Sequence, residues 1–302
     1  VKWVELTDNI FFIEGQNNGR YPFSNSLFIN DESTVLIDTG LGKNVLERII
    51  REKRVDLVIN SHCHEDHINY NYLFKDAKIC CHKLDAPAIR SVDELLNRYG
   101  PQENEAVKAI EIFIREIFEL RESRVDVEFE DNYVFDLGNV KLKVIYTPGH
   151  SIGHCCFYVP DEKILFLSDI DLTSFGPWYG CLDSDIDHFI DSINKVKSLR
   201  PEIVITSHKG IITGNDAIEV KFNEYLDKIF ERDRKLLGFL REERTIDEIV
   251  NKAIIYGQFP EPKVVFKYFE RIMIEKHLHR LIRKGFVFKT KKGFKALKKS
   301  EV

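Results

Sequence analysis

Four apolar, β-branched runs in this chain each end on histidine or aspartate, and that pattern limits the fold more than any other feature. Residues 55–59, "VDLVI", lead into "NSHCHEDHIN" (60–69), which packs His62, His64, Asp66 and His67 into six residues. Residues 141–147 run into Pro148-Gly149-His150, residues 164–168 into Asp169, and residues 203–207 into His208. Runs this short and apolar read as buried strands. A histidine or aspartate held at the end of a buried strand is costly unless it is paired or coordinated. Any one of these residues alone would pass as a polar loop residue. Together they call for a fold that gathers several strand ends at one point, where loops commonly carry chemistry.

Spacing within the first run suggests how the groups divide. Side chains two apart in an extended segment point the same way, so His62 and His64 can converge on one ion while Cys63 points away. Asp66 and His67 lie where the chain turns into a helix near Ile68, and can serve a second ion. His150, Asp169 and His208 supply the further ligands that two ions need.

Residues 10–14, 26–30, 34–38, 77–81, 133–137 and 155–159 add strand candidates, and Gly138-Asn139 marks a hairpin turn. Helices are predicted over 42–53 and 185–199, and the region 85–122 reads as helical. Ala106, Val107, Ile110, Phe113, Ile114, Ile117 and Phe118 recur there at helical spacing. That stripe suits a core or dimer face, or the wall of a pocket for an apolar substrate. The pattern changes after Asn215. Helices are predicted over 217–241, 245–253 (Thr245 and Glu248 form a capping signature) and 264–284, followed by a terminal hairpin. The expected division is 1–215 and 216–302. Three helices and a hairpin make the second part winged-helix-like, a type common among nucleic-acid binders.

The motif His62-Cys-His64-Glu-Asp66-His67 resembles the HxHxDH signature of the metallo-β-lactamase superfamily. "LIDTG" (36–40), "TPGHS" (147–151), "LSD" (167–169) and "TSHKG" (206–210) follow in that superfamily's order. The resemblance covers about the first 215 residues and implies an α/β fold, an αββα sandwich with metals at one sheet edge. It implies that His62, His64 and His150 hold a first metal, that Asp66, His67 and His208 hold a second, and that Asp169 bridges them. Asp38 matches a position that supports the ligand loop. Imidazole and carboxylate donors suit two zinc ions, with iron or manganese open.

Two ions that share a water bring its pKa from 15.7 to about 7, giving a bridging hydroxide as nucleophile. Asp66 is placed to orient it, as well as to bind metal. The expected activity is metal-dependent hydrolysis of a small ester, thioester or lactone. Two alternatives remain open: an RNA phosphodiesterase, and an iron-dependent persulfide dioxygenase. Trp178 and Tyr179, in the loop after Asp169, read either as candidate substrate contacts that cover the metal site or as packing residues. His154 reads either as a support for the site or as a plain strand residue.

From Arg280 onward the C-terminal part carries Arg283, Lys284, Lys289, Lys291, Lys292, Lys295, Lys298 and Lys299 against the single acid Glu301. It resembles the C-terminal domain of a lactamase-like subfamily that includes endoribonucleases. Such a wing could bind RNA phosphates, or be a solvated tail on a small domain that closes the pocket or builds a homodimer. The overall charge of -5 gives no global bias toward nucleic acid. No run approaches the roughly 20 apolar residues that span a bilayer. Six cysteines, four of them in two adjacent pairs, do not resemble a secreted disulfide framework. Reduced thiols in a cytoplasmic protein are expected.

Overall fold

The computed structural model describes residues 2–297, so Lys298, Lys299 and Glu301 lie outside the described residues. A first sheet has seven strands in sequential order: β1 (Trp3–Glu5), β2 (Ile10–Ile13), β3 (Ser26–Asn30), β4 (Thr34–Ile37), β5 (Leu57–Ile59), β6 (Lys78–His82) and β7 (Val127–Phe129). Pairing is antiparallel from β1 to β4 and parallel from β4 to β7. A second sheet of six strands is also sequential: β8 (Val134–Asp136), β9 (Lys141–Tyr146), β10 (Cys155–Val159), β11 (Ile164–Phe166), β12 (Ile203–Thr206) and β13 (Gly210–Thr213). Only β11 and β12 pair in parallel there.

Strand alternation explains the layers. Val35 and Ile37 face the second sheet, while Leu36 between them faces a helix. Ile164 and Phe166 face the first sheet, and Leu165 faces outward. Strands covered on both faces need apolar residues at every position, hence the continuous runs in the sequence. Helix α1 (Lys43–Glu52) covers the first sheet through Val45, Leu46 and Ile49. Helix α6 (Ile186–Ser198) covers the second through Phe189, Ile193 and Val196. This is the αββα order expected.

Between them lie α2 (Glu65–Ile68), α3 (Ala86–Arg90), α4 (Val92–Tyr99) and α5 (Glu105–Ile112), which runs on into a π-helical turn, Phe113–Ile117. The helical region 85–122 is therefore several pieces. Ser91 and Asn104 act as side-chain N-caps that start new helices, and Gly100, at φ 150°, ends α4. The C-terminal part consists of α7 (Asn215–Phe239), α8 (Ile246–Asn251), α9 (Lys263–Arg283) and the hairpin β14 (Val287–Lys289) with β15 (Phe294–Ala296). Thr245 and Glu248 form the capping box at α8. One apolar cluster joins Leu165 and Val204 of the second sheet to Phe222 of α7, Met273 and Leu278 of α9 and Val287 of the hairpin. The C-terminal helices thus share a core with the sandwich.

Candidate metal centre

Each candidate ligand sits at the C-terminal end of a strand or just beyond it. Strand β5 is flanked in parallel by β4 and β6, so the loop that leaves Ile59 starts from a fixed point. Asn60 is locked to Asn71 by paired amide bonds of 2.8 and 3.2 Å. The chain stays extended through His64, then turns into α2, which carries Asp66 and His67. Gly40 allows this turn to be clasped: a Cβ there would lie 1.7 Å from the Asp66 carbonyl oxygen and 2.1 Å from Ser24 Oγ. Gly149 performs the same service at the His150 loop, where its φ is +139° and a Cβ would meet Phe189 of α6 at 2.4 Å from Cα.

Two groups of donor atoms result. His64 Nδ1 is 3.0 Å from His62 Nε2 and 2.9 Å from His150 Nε2, and Asp169 Oδ2 is 3.2 Å from His150 Nε2. In the second group, His67 Nε2 is 3.6 Å from Asp66 Oδ2, and His208 Nε2 is 3.3 Å from the same oxygen. Asp169 Oδ1 completes it, 3.0 Å from His67 Nε2 and 3.5 Å from His208 Nε2. The two oxygens of Asp169 are therefore divided between the groups. Ligands 2.0–2.2 Å from one cation lie about 3.3 Å from each other in a tetrahedral site, close to these spacings.

The far nitrogen of every histidine has its own partner. His67 Nδ1 donates to Asp38 Oδ2 (2.8 Å), His150 Nδ1 to the Trp178 carbonyl (3.0 Å) and His208 Nδ1 to the Gly19 carbonyl (2.7 Å). Ser61 Oγ gives its proton to Asp38 Oδ2 (2.7 Å), so it accepts from His62 Nδ1 at 3.1 Å. His64 faces the cluster through Nδ1, which leaves Nε2–H to donate to Cys181 Sγ at 3.4 Å. In the neutral ring each inward nitrogen then carries the free lone pair, the form a cation requires. Asp38 holds φ at +62°, an uncommon value that aims its carboxylate at both Ser61 and His67.

Electrostatics split the same groups. Burial, then the neighbouring His67, pushes His62 well below the usual histidine range, and burial with His150 does the same to His64. Burial also opposes charge on His208, but Asp171 and Asp169 outweigh it and raise the imidazole to about 10. His67 is raised well above its usual value against burial by Asp169, Asp66 and Asp38. Burial would raise Asp169, yet His67, His208 and His150 hold it well below the carboxylate range. The same negative field that retains protons on His67 and His208 attracts a metal ion in their place. One observation tests the fit directly. His67 Nε2 and Asp169 Oδ1 are buried without a hydrogen-bond partner although they lie 3.0 Å apart. Each unsatisfied atom costs roughly 1–3 kcal/mol, and a shared cation satisfies both. The donor set fits a pair of divalent ions.

Trp178 and Tyr179 part company. Trp178 lines a cavity of about 610 Å³ that opens on the cluster, and its ring meets His64 edge-on at 5.9 Å. Tyr179 does not line it, which corrects the expectation of a substrate contact there. It is fully buried beneath the loop, donating to His277 Nε2 and accepting from Arg232 Nη1, each at 2.7 Å. His154 supports the site: its Nε2 accepts from the Asp169 N–H at 3.3 Å, and burial keeps it neutral by lowering its pKa to about 3.

Several residues escaped sequence reasoning. Asp85 accepts from the Cys63 N–H (3.0 Å) and from Ser151 Oγ (3.1 Å), so it ties together the loops of His62, His64 and His150. Arg98 pairs with Asp85 and, at 3.0 Å, with Asp183, whose carboxylate also accepts from the Ile152 N–H. Glu65 accepts from Tyr21 (2.8 Å) and Tyr99 (2.7 Å) at the cavity edge. Asp171 accepts from the His208 N–H at 3.0 Å. Asp85, Arg98 and Asp183 stand outside the ligand-bearing stretches, so no local pattern marks them. Glu65 and Asp171 lie inside those stretches, beside His64 and Asp66 and two residues after Asp169, where the spacing does not set their role apart from that of the candidate ligands.

Apart from Glu261, Tyr21, Tyr99 and Tyr256, the rest of the cavity lining is apolar. Ala109, Ile110 and Phe113 from α5 and its continuation face Val265, Phe266 and Phe269 of α9. Trp178 Nε1 donates to Tyr256 of the α8–α9 loop at 2.9 Å, and its ring meets Phe269 edge-on at 5.3 Å. Among the described residues that line the cavity, none is lysine or arginine. Among the described residues no helix is long and apolar enough to cross a membrane. All six cysteines are free and buried.

Comparison with known proteins agrees with the geometry. The profile of the metallo-β-lactamase superfamily matches residues 20–208. The chain is 26% identical over 154 residues to an atrochrysone carboxyl ACP thioesterase of Aspergillus chevalieri, covering 48% of this chain and 47% of that protein. It is 29% identical over 181 residues to the acyl-coenzyme A thioesterase MBLAC2 of Bos taurus, covering 55% and 64%. The chain spans about half the length of the first curated relatives it matches. A metallo-β-lactamase family protein of Thermus thermophilus shares the fold with a TM-score of 0.73 at 19% identity, over 97% of this chain and 100% of that one. With the profile matching well over half of its length, and the donor groups gathered at the strand ends, the chain belongs to the metallo-β-lactamase superfamily.

Proposed function

We propose that this chain is a metal-dependent hydrolase of an ester or thioester. The observation that carries the reading is the pairing of a seven-residue candidate ligand set with a cavity whose remaining wall is mostly apolar and free of lysine and arginine. Two divalent cations, for which the donors suit zinc as well as iron or manganese, would when bound supply Lewis acidity to a carbonyl oxygen and lower the pKa of a water toward about 7. His62, His64, His150, Asp66, His67, His208 and Asp169 hold the ions. Asp66 is the catalytic candidate because it joins the second group and lines the cavity. Glu65, held by Tyr21 and Tyr99, forms the polar edge that orients the reacting group. Trp178 and Phe269 exclude water from it.

A phosphodiester substrate would bring negative charge along its whole length and needs lysine or arginine to neutralise it. The cavity offers none, and the basic residues of the β14–β15 hairpin do not line it. This supports ester or thioester hydrolysis over the RNA reading, and supports α9 as a wall of the pocket over α9 as a nucleic-acid reader. The full second group, Asp66, His67 and His208, is more than a single-iron dioxygenase needs. The names of the two thioesterase relatives support the same choice.

The experiment is a metal analysis of the purified protein followed by parallel assays on a model thioester, a lactone and single-stranded RNA. Two metals per chain, and thioester hydrolysis that chelation abolishes and zinc restores, are expected. Cleavage of RNA alone, or full activity after the metal has been stripped, would overturn the reading.

A further inference from the structure

We propose that the substrate's acyl group is a neutral aliphatic chain that lies in the slot between α5 and α9, with Ala109 setting its length. The proposal rests on the hydrolase reading and adds the substrate class. Three observations carry it. The slot opens directly on His64, Asp66 and Asp169, so a carbonyl at the ligand cluster directs its acyl chain between the two helices. Both walls belong to one apolar cluster, which holds Ile110 of α5 and Val265 of α9, with Phe113 and Phe269 packed against it. Outside the ligand set, the charged groups lining the cavity are Glu65 and Glu261, both acids, which repel a chain ending in carboxylate or phosphate.

Ala109 is the one small side chain that α5 contributes to the lining, beside the larger Ile110 and Phe113. It is half-buried and lines the cavity while packing against the cluster, so a larger residue there takes up room in the slot. Phe269 stands on the opposite wall, edge-on to Trp178 and tilted against Tyr99. In the reaction the oxygen of water bonds to the carbonyl carbon, the C–S bond breaks, the thiol sulfur takes up a proton and the carboxylic acid releases one. Only the acyl chain enters the slot.

The test uses the full chain loaded with zinc and N-acetylcysteamine thioesters from acetyl through hexanoyl to dodecanoyl, each kept below its aggregation concentration. kcat/KM of the native chain is expected to rise roughly fourfold per added methylene until the slot is full. Ala109→Phe is expected to lower the dodecanoyl-to-acetyl ratio by about tenfold or more, with metal content still at two per chain. Phe269→Ala, which empties the opposite wall, is expected to move the optimum toward longer or branched acyl groups. A native series flat from acetyl to dodecanoyl overturns this proposal while leaving the hydrolase standing. So does a ratio that neither variant changes. Absence of hydrolysis for every thioester overturns the hydrolase reading and this proposal with it.

Discussion

The ligand cluster and the apolar slot meet across the same cavity, yet they are built by opposite rules. The cluster is made of strand ends, and every histidine in it is held from behind by a separate hydrogen bond. The slot is made of two helices that meet through side-chain contact alone. Directional bonds fix atoms to within tenths of an ångström, and a dry apolar wall fixes only volume. Reaction type should therefore be sensitive to single substitutions in the cluster, and substrate choice should drift easily with substitutions in the slot.

The largest effect expected is from Asp169→Asn. It removes the charge that both donor groups share, and should lower kcat/KM by about a thousandfold, roughly 4 kcal/mol, with loss of metal seen by elemental analysis. Retention of two ions would break the claim that this carboxylate joins the groups. Arg98→Ala comes next. It leaves Asp85 buried without its partner, which costs roughly 3–5 kcal/mol, measured as a lower urea midpoint with unchanged slope. Cys181→Ala should weaken metal binding by about tenfold, read by competition with a chromogenic chelator, because His64 loses the group that holds its outer nitrogen. On the slot side, Phe266→Leu keeps most of the apolar volume and should change KM less than about threefold with metal content untouched. The smallest effect belongs to Lys291→Ala and Lys292→Ala on the hairpin, which should leave thioester hydrolysis within about twofold. A large loss there would move the C-terminal part back toward a phosphate-binding role.

The two halves also differ in how they could be read from sequence. The convergence of the candidate ligands was legible because the signal is local: four lie within residues 62–67, and the others close apolar runs that read as strands. The sandwich followed from the same runs, and the terminal helices from their caps at Thr245 and Gly285. Short strands such as β7, three residues long, carry too little pattern to be seen. Cys181 was unreadable because its role depends on meeting His64, 117 positions away. Tyr179 was misplaced since a loop has no period to say which of two adjacent aromatics turns inward. The helical stripe at 106–118 left core, dimer face and pocket wall open, and its meeting with α9 appears only in three dimensions.

Trp178 is the residue on which both halves bear. Its backbone oxygen steadies His150, and its indole is bound to Tyr256 and rests against Phe269. A disturbance of the C-terminal helices therefore has a mechanical route of one residue to an ion ligand. Any descendant of this chain that trades its α8–α9 region for another must either keep a companion for that indole or accept a looser hold on His150 of the candidate metal centre. Inheritance of a new specificity is, in this architecture, coupled to retention of metal.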